Sequence, residues 1–204
     1  MAAIECLHPA GSSPEIPSPA ARSGRQAFWD LERWLYGGDS GTWGLQAIEV
    51  EEERRGREML RLLLQGHIDV RGEGDVGEAL WVVPPDDPGQ ELLYTHKRIH
   101  TRGLVTIFGT VKVARVAYGK PGHASIHPLD AGLQLPARSY SYEIQRRLVK
   151  SAVQGPFDEA LEAVRESTGI VIPKRSAEQI VVDASADLGV ATSRRRVSVF
   201  RPVV

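Results

Sequence analysis

Residues 94–187 constrain the fold of this 204-residue chain more than any other part. A strongly basic strand-turn-strand element is followed there by three helical segments, the last two spaced like a helix-turn-helix. Charge marks the same boundary. Residues 94–150 hold 10 basic residues against Asp130 and Glu143, a net of +8, whereas residues 45–93 hold 5 basic and 12 acidic residues, a net of −7. The whole chain, at −1, hides this contrast. A cationic block inside a neutral protein is what a phosphate-facing surface requires, because each Lys or Arg that meets a phosphate releases a condensed counterion. The competing reading folds the acidic segment onto the basic one and cancels it.

Before the basic block the pattern is helical. Residues 1–23 alternate Pro9, Pro14, Pro17 and Pro19 with small residues, have no apolar periodicity and are expected to form a disordered arm. The arm carries the lone cysteine, Cys6, so no internal disulfide or paired-thiolate zinc site is available and a free thiol is expected. Neither a signal peptide nor a membrane-length apolar run is legible, and a cytoplasmic protein is expected. Phe28, Leu31 and Leu35 predict a short amphipathic helix over 25–36, and a longer one is predicted over 45–70. The leucines of its second half, Leu60 and Leu62 to Leu64, suit a core or a coiled-coil seam, while Gly56 and Gly66 argue against an unbroken helix.

Gly72, Gly74 and Gly77 match the spacing of a dinucleotide-binding loop, but Pro84 and Pro85 follow too soon for the helix that motif needs, so a plain loop is predicted. Short strands are predicted at 80–83 and 92–95. A hairpin of 104–108 and 111–118 is predicted to turn at Gly109-Thr110, with 124–128 returning as a third strand. Lys112 and Arg115 fall on opposite faces in this register. His96 and His100, like His123 and His127, are four apart, but on strands that spacing is about 13 Å. They are expected to be polar or phosphate-facing residues, with no shared metal.

Three helices are predicted after Pro136. The first, about 140–154, turns Ile144, Leu148 and Ala152 inward and Arg146, Arg147 and Lys150 outward. The second begins at Gly155-Pro156, buries Phe157, Ala160, Leu161 and Val164, and stops at Thr168-Gly169. The third begins at Pro173, with Ala177, Ile180, Val181, Ala184 and Leu188 inward. Its outward residues, Lys174, Arg175, Ser176, Gln179 and Val182, include the types that pair with bases and phosphates. Packing of three helices without a ligand is the bland alternative, and the connection of about six residues exceeds the three or four of a tight helix-turn-helix.

The runs FWDLERWLY, RLLLQGHIDVRGEG, THKRIHTRGLVTIFGTVKVARVAYG, HPLDAGLQLP, YSYEIQRRLVKSAV and FDEALEAVRESTGIVIPKRSAEQIV resemble, in that order, the N-terminal half of bacterial insertion-sequence transposases of the ISKra group. The resemblance spans about residues 28–182 and departs after about Ala186, where Arg194 to Arg196 and a Val-rich end resemble a truncated or out-of-frame tail. It implies double-stranded DNA as partner, specifically element terminal repeats, with a second copy or full-length transposase as protein partner. Magnesium is implied only for full-length relatives, whose acid triad holds two divalent ions. Asp69, Asp75, Asp86, Asp87, Asp183 and Asp187 lack that triad's strand-rich setting. No catalytic residue, metal ligand or cofactor is expected for this chain.

The expected fold is α+β and mainly helical: an arm (1–23), a helical region (24–78), a small antiparallel β region with basic strands (79–135), a helix-turn-helix-like unit (136–188) and an atypical tail (189–204). Expected DNA contacts are Lys112, Arg115, Arg146, Arg147, Lys150, Lys174, Arg175, Ser176 and Gln179. A module that dimerises with or inhibits full-length transposase, and a helix-turn-helix transcriptional regulator, are the alternatives.

Overall fold

The computed structural model describes residues 19–84, 89–190 and 199–202. The fold is α+β. Two long helices, α1 (Pro19–Tyr36) and α2 (Leu45–Val70), form an antiparallel pair. The first starts six residues earlier than the periodicity predicts, so the last five residues of the expected arm are helical. The rest of that arm, with Cys6, lies outside the described residues. The long helix spans the predicted range unbroken. Gly66 is required by proximity: a Cβ there would sit 2.7 Å from Ala21 Cβ, so its small size lets the two backbones cross closely. Trp34 is buried under the Arg55 guanidinium, which lies 4.7 Å from the ring centroid.

The Gly72–Gly77 segment is a loop, as its prolines predict, and it is pinned by Asp75. That carboxylate accepts hydrogen bonds from Lys97 Nζ (2.6 Å), the Tyr118 hydroxyl (2.8 Å) and the Gly77 N–H (3.1 Å). Lys97 first, then the other two donors, push its pKa down to about 2.

Strands β1 (Leu80–Val83) and β2 (Leu92–Tyr94) pair antiparallel. The other edge of β1 pairs with β5 (Val199–Pro202), so part of the tail expected to be atypical completes a three-stranded sheet. Pro202 falls on an edge strand, where its missing N–H breaks no central ladder.

A second sheet is the hairpin of β3 (His96–Thr106) and β4 (Gly109–Gly119). Its loop is Ile107-Phe108, two residues before the predicted turn, and β3 begins eight residues earlier than predicted. Side-chain chemistry accounts for the shift. The Thr106 hydroxyl donates to the Gly109 carbonyl (2.8 Å) and accepts from the Phe108 N–H (3.3 Å), while Ile107 packs into the C-terminal helical core. The predicted third strand is a single bridge, Tyr118 to Ile126, after which Pro128 starts the short helix α3 (Pro128–Gly132), which periodicity does not predict. Gln65 of α2 covers the outer edge of β4 by bonding both backbone groups of Lys112 (2.7 and 2.8 Å). The apolar face of the hairpin, Leu104, Val111 and Val113, packs on Leu64 and Ile68 of α2 and on Leu129.

Helices α4 (Tyr142–Gln154), α5 (Phe157–Thr168) and α6 (Lys174–Val190) share one core of Ile144, Leu148, Val164, Ile172, Ala177 and Ile180. Ser141 caps α4 by accepting the Ile144 N–H, and Gly169, with φ 70°, ends α5 in the left-handed conformation. The helical unit is tied to the hairpin by backbone bonds of Val105 to Ser139 (2.7 Å) and Ser141 (2.8 Å).

Candidate nucleic-acid interface

The helices after Pro136 carry most of the residues expected to meet DNA, and their exposure follows from where the core lies. Ala177 and Ile180 point into the three-helix core, so at 100° per residue Arg175 and Gln179, one turn apart, are turned to solvent and both are exposed. Val182, 58% exposed, continues that face, and Ser176 is half-buried at its margin. The connection Gly169 to Pro173 is longer than a tight turn because it has packing of its own. Ile172 enters the core, and Thr168 Oγ1 donates to the Val164 carbonyl (2.6 Å) and accepts from the Ile170 N–H (3.2 Å).

Most cations of this unit have carboxylate partners. Lys174 Nζ lies 2.7 Å from Asp158 in the first turn of α5, a pairing that raises its pKa. Glu143 holds Arg146 through two bonds of 2.7 Å and Arg147 through one of 3.0 Å. Arg146 first, then Arg147, push the Glu143 carboxyl down to about 2. Gln179 donates to Asp183 (3.2 Å), whose pKa is lowered chiefly by its ion pair with Arg138. Arg138, in the segment entering α4, thereby fastens α6 to it. Sequence periodicity carries no sign of this link, since its residues are 45 apart. The Lys174 and Arg146 pairs are exposed, so they contribute little net stability and can exchange for a phosphate at small cost. Arg175 and Lys150 are exposed and make no ion pair among the described residues.

The arrangement does not gather every expected residue on one surface. Arg147 is half-buried in a cleft of about 330 Å³ that also touches Glu53, Arg57, Phe108 and Ser167, facing α2 and the hairpin tip. Lys112 is exposed beside Gln65, opposite Gly103, and so on the other sheet face from Arg115, as the register predicts. Arg115 needs correction. Its side chain is only 15% exposed and ion-paired with Asp130, so it joins β4 to α3 and does not present its charge to a partner molecule. The pair is one-sided: Arg115 Nε, Asp130 Oδ1 and the neighbouring His127 Nε2 are buried without a hydrogen-bond partner. Burial first, then the Arg115 charge, lower the pKa of His127. The His100 and His127 rings meet edge-on with centroids 6.0 Å apart, while His96 and His123 line a common cleft. Among the described residues, however, no three His, Cys, Asp or Glu side chains are grouped as metal ligands. No described helix is long and apolar enough to cross a membrane.

The basic residues that periodicity leaves unassigned are on β3. His96, Arg98, His100 and Arg102 recur every second residue and share one sheet face, a period-two signal visible in THKRIHTRG once the strand is known to begin at His96. Comparison with protein-family models, curated proteins and solved structures finds no match to this chain.

Proposed function

We propose that this chain binds double-stranded DNA through the outer face of the α4–α6 unit, with α6 as the helix that inspects bases. The observation that carries the reading is the joint exposure of Arg175 and Gln179 one turn apart on α6, on a helix anchored in the core by Ala177 and Ile180. Arg and Gln are the side chains suited to bidentate contacts with guanine and adenine. Arg146, Lys150 and Lys174 supply phosphate contacts that position the helix without reading sequence. The resemblance to ISKra-group transposases favours the terminal repeats of an insertion sequence as the target, and a DNA-recognition role within transposition as the context.

Binding of the whole chain to a labelled duplex across a salt series tests this. Arg175→Ala with Gln179→Ala should relax sequence preference. Arg146→Ala with Lys150→Ala should weaken all duplexes alike and reduce the salt slope by about one for each phosphate no longer neutralised. Affinity and slope unchanged by both pairs would falsify the assignment.

A second reading, association with another copy or with full-length transposase, is favoured by one observation: Phe28, Trp29, Leu60 and Leu63 of the α1–α2 pair are 40–52% exposed. Co-elution with the full-length protein in the absence of DNA would select it.

A further inference from the structure

The β3 face forms the floor and one wall of a cleft of about 300 Å³. Arg98 and His100 stand beside His96 on the strand, and the loop after β4 closes the far side with Lys120, His123 and Ser125. Register explains why the space is open. Arg98 and His96 pair with Ala117 and Gly119, whose minimal side chains leave the floor between the cations low. The loop wall is fixed by backbone and ring contacts: the His123 N–H donates to the Lys120 carbonyl (3.1 Å), and the His123 ring meets Tyr94 edge-on at 6.2 Å. No carboxylate lines the cleft, and Arg98 and Lys120 make no ion pair among the described residues. Lys97, between His96 and Arg98 in sequence, points to the opposite face and is taken up by Asp75. Among the described residues the two cations of this cleft, Arg98 and Lys120, thus have no counter-charge, unlike Arg146, Arg147 and Lys174.

We infer that this cleft seats backbone phosphate of a nucleic-acid duplex, giving the hairpin a contact separate from α6. The inference rests on the duplex-binding reading above. Uncompensated Arg and Lys flanking a Ser hydroxyl and imidazoles provide charge and hydrogen-bond donors to phosphate oxygens. Arg98 and Lys120 would meet phosphate oxygens as charges, so the contact positions the duplex and does not read it.

The test compares the whole chain with Arg98→Ala/Lys120→Ala and with Arg175→Ala/Gln179→Ala, using anisotropy of a fluorescein-labelled mixed-sequence duplex over a salt series. Both positions of the first pair lie outside every core, so an unchanged thermal unfolding curve should accompany the measurement. The expected result is weaker binding by Arg98→Ala/Lys120→Ala, with a salt slope shallower by about two and sequence preference retained. If that variant binds as the parent does while the α6 variant loses preference, the cleft inference falls and the α6 reading stands. If only the cleft variant weakens, the reverse holds. Self-association of the cleft variant with unchanged DNA affinity would also overturn the inference, by showing that these cations merely guard an open strand edge. A parent chain that binds no duplex at low salt overturns both.

Discussion

The β3 face and the α4–α6 unit carry similar cations but compensate them differently. On the helices, a carboxylate three or four residues from an arginine falls on the same face, so Glu143 reaches both Arg146 and Arg147. On the strand, alternation sends Lys97 to Asp75 and leaves His96 and Arg98 opposite the small residues Gly119 and Ala117 of β4. The helical unit thus has most of its cations neutralised, while on the hairpin side Arg98 and Lys120 make no ion pair among the described residues. Sequence charge counts place β3 and the arginines of α4 in one +8 block and cannot make this distinction.

The largest effect should come from emptying the core of the helical unit. Leu148 is fully buried among α4, α5 and α6, so Leu148→Ala should cost about 2–5 kcal/mol in denaturant unfolding. A cost near zero would show that the unit does not pack around α4. Gly66→Ala tests the helix that supports the hairpin. Its new methyl would press on Ala21 at 2.7 Å, and the forced separation of α1 and α2 should cost about 1–3 kcal/mol. Gly56→Ala in the same helix meets nothing within 4 Å and should instead stabilise by about 0.5–1 kcal/mol; equal effects at the two glycines would refute the close crossing.

Glu143→Gln sharpens the contrast directly. Freeing Arg146 and Arg147 should make the helical unit resemble the hairpin face, raising duplex affinity by about two- to fivefold and steepening the salt slope. No gain would mean that Arg146 does not meet DNA. The smallest effect should appear in acid. Asp75 has a folded pKa of about 2 against an ordinary 3.8, so its contribution to stability is present above pH 3.8 and lost as the pH falls toward 2. Asp75→Asn should remove that part of the acid dependence of thermal unfolding, and an unchanged profile would exclude the carboxylate as its source.

The long-period features were legible in the sequence. The span of α2, the loop of Gly72 to Gly77, the ends of α5 and the inward residues Ala177 and Ile180 all follow from periodicity and glycine or proline chemistry. The hairpin turn did not, because Ile107-Phe108 is an apolar pair held by Thr106 and by tertiary packing with the helices, not by an intrinsic turn preference. Pairing of β5 with β1, the Arg115 to Asp130 link and the Arg138 to Asp183 link join residues distant in the chain, and no local pattern encodes them. At the candidate site the exposed α6 residues follow from periodicity; the neutralisation of Lys174 and the basic face of β3 do not.

Lysine reactivity toward acetylation, mapped by mass spectrometry with and without a duplex at low salt, shows whether DNA lies on the α4–α6 surface. Lys150 and Lys174 should become protected while Lys97, held by Asp75 on the opposite sheet face from Arg98, keeps its reactivity. Identical labelling of all three lysines with and without DNA would contradict a duplex lying on the α4–α6 surface.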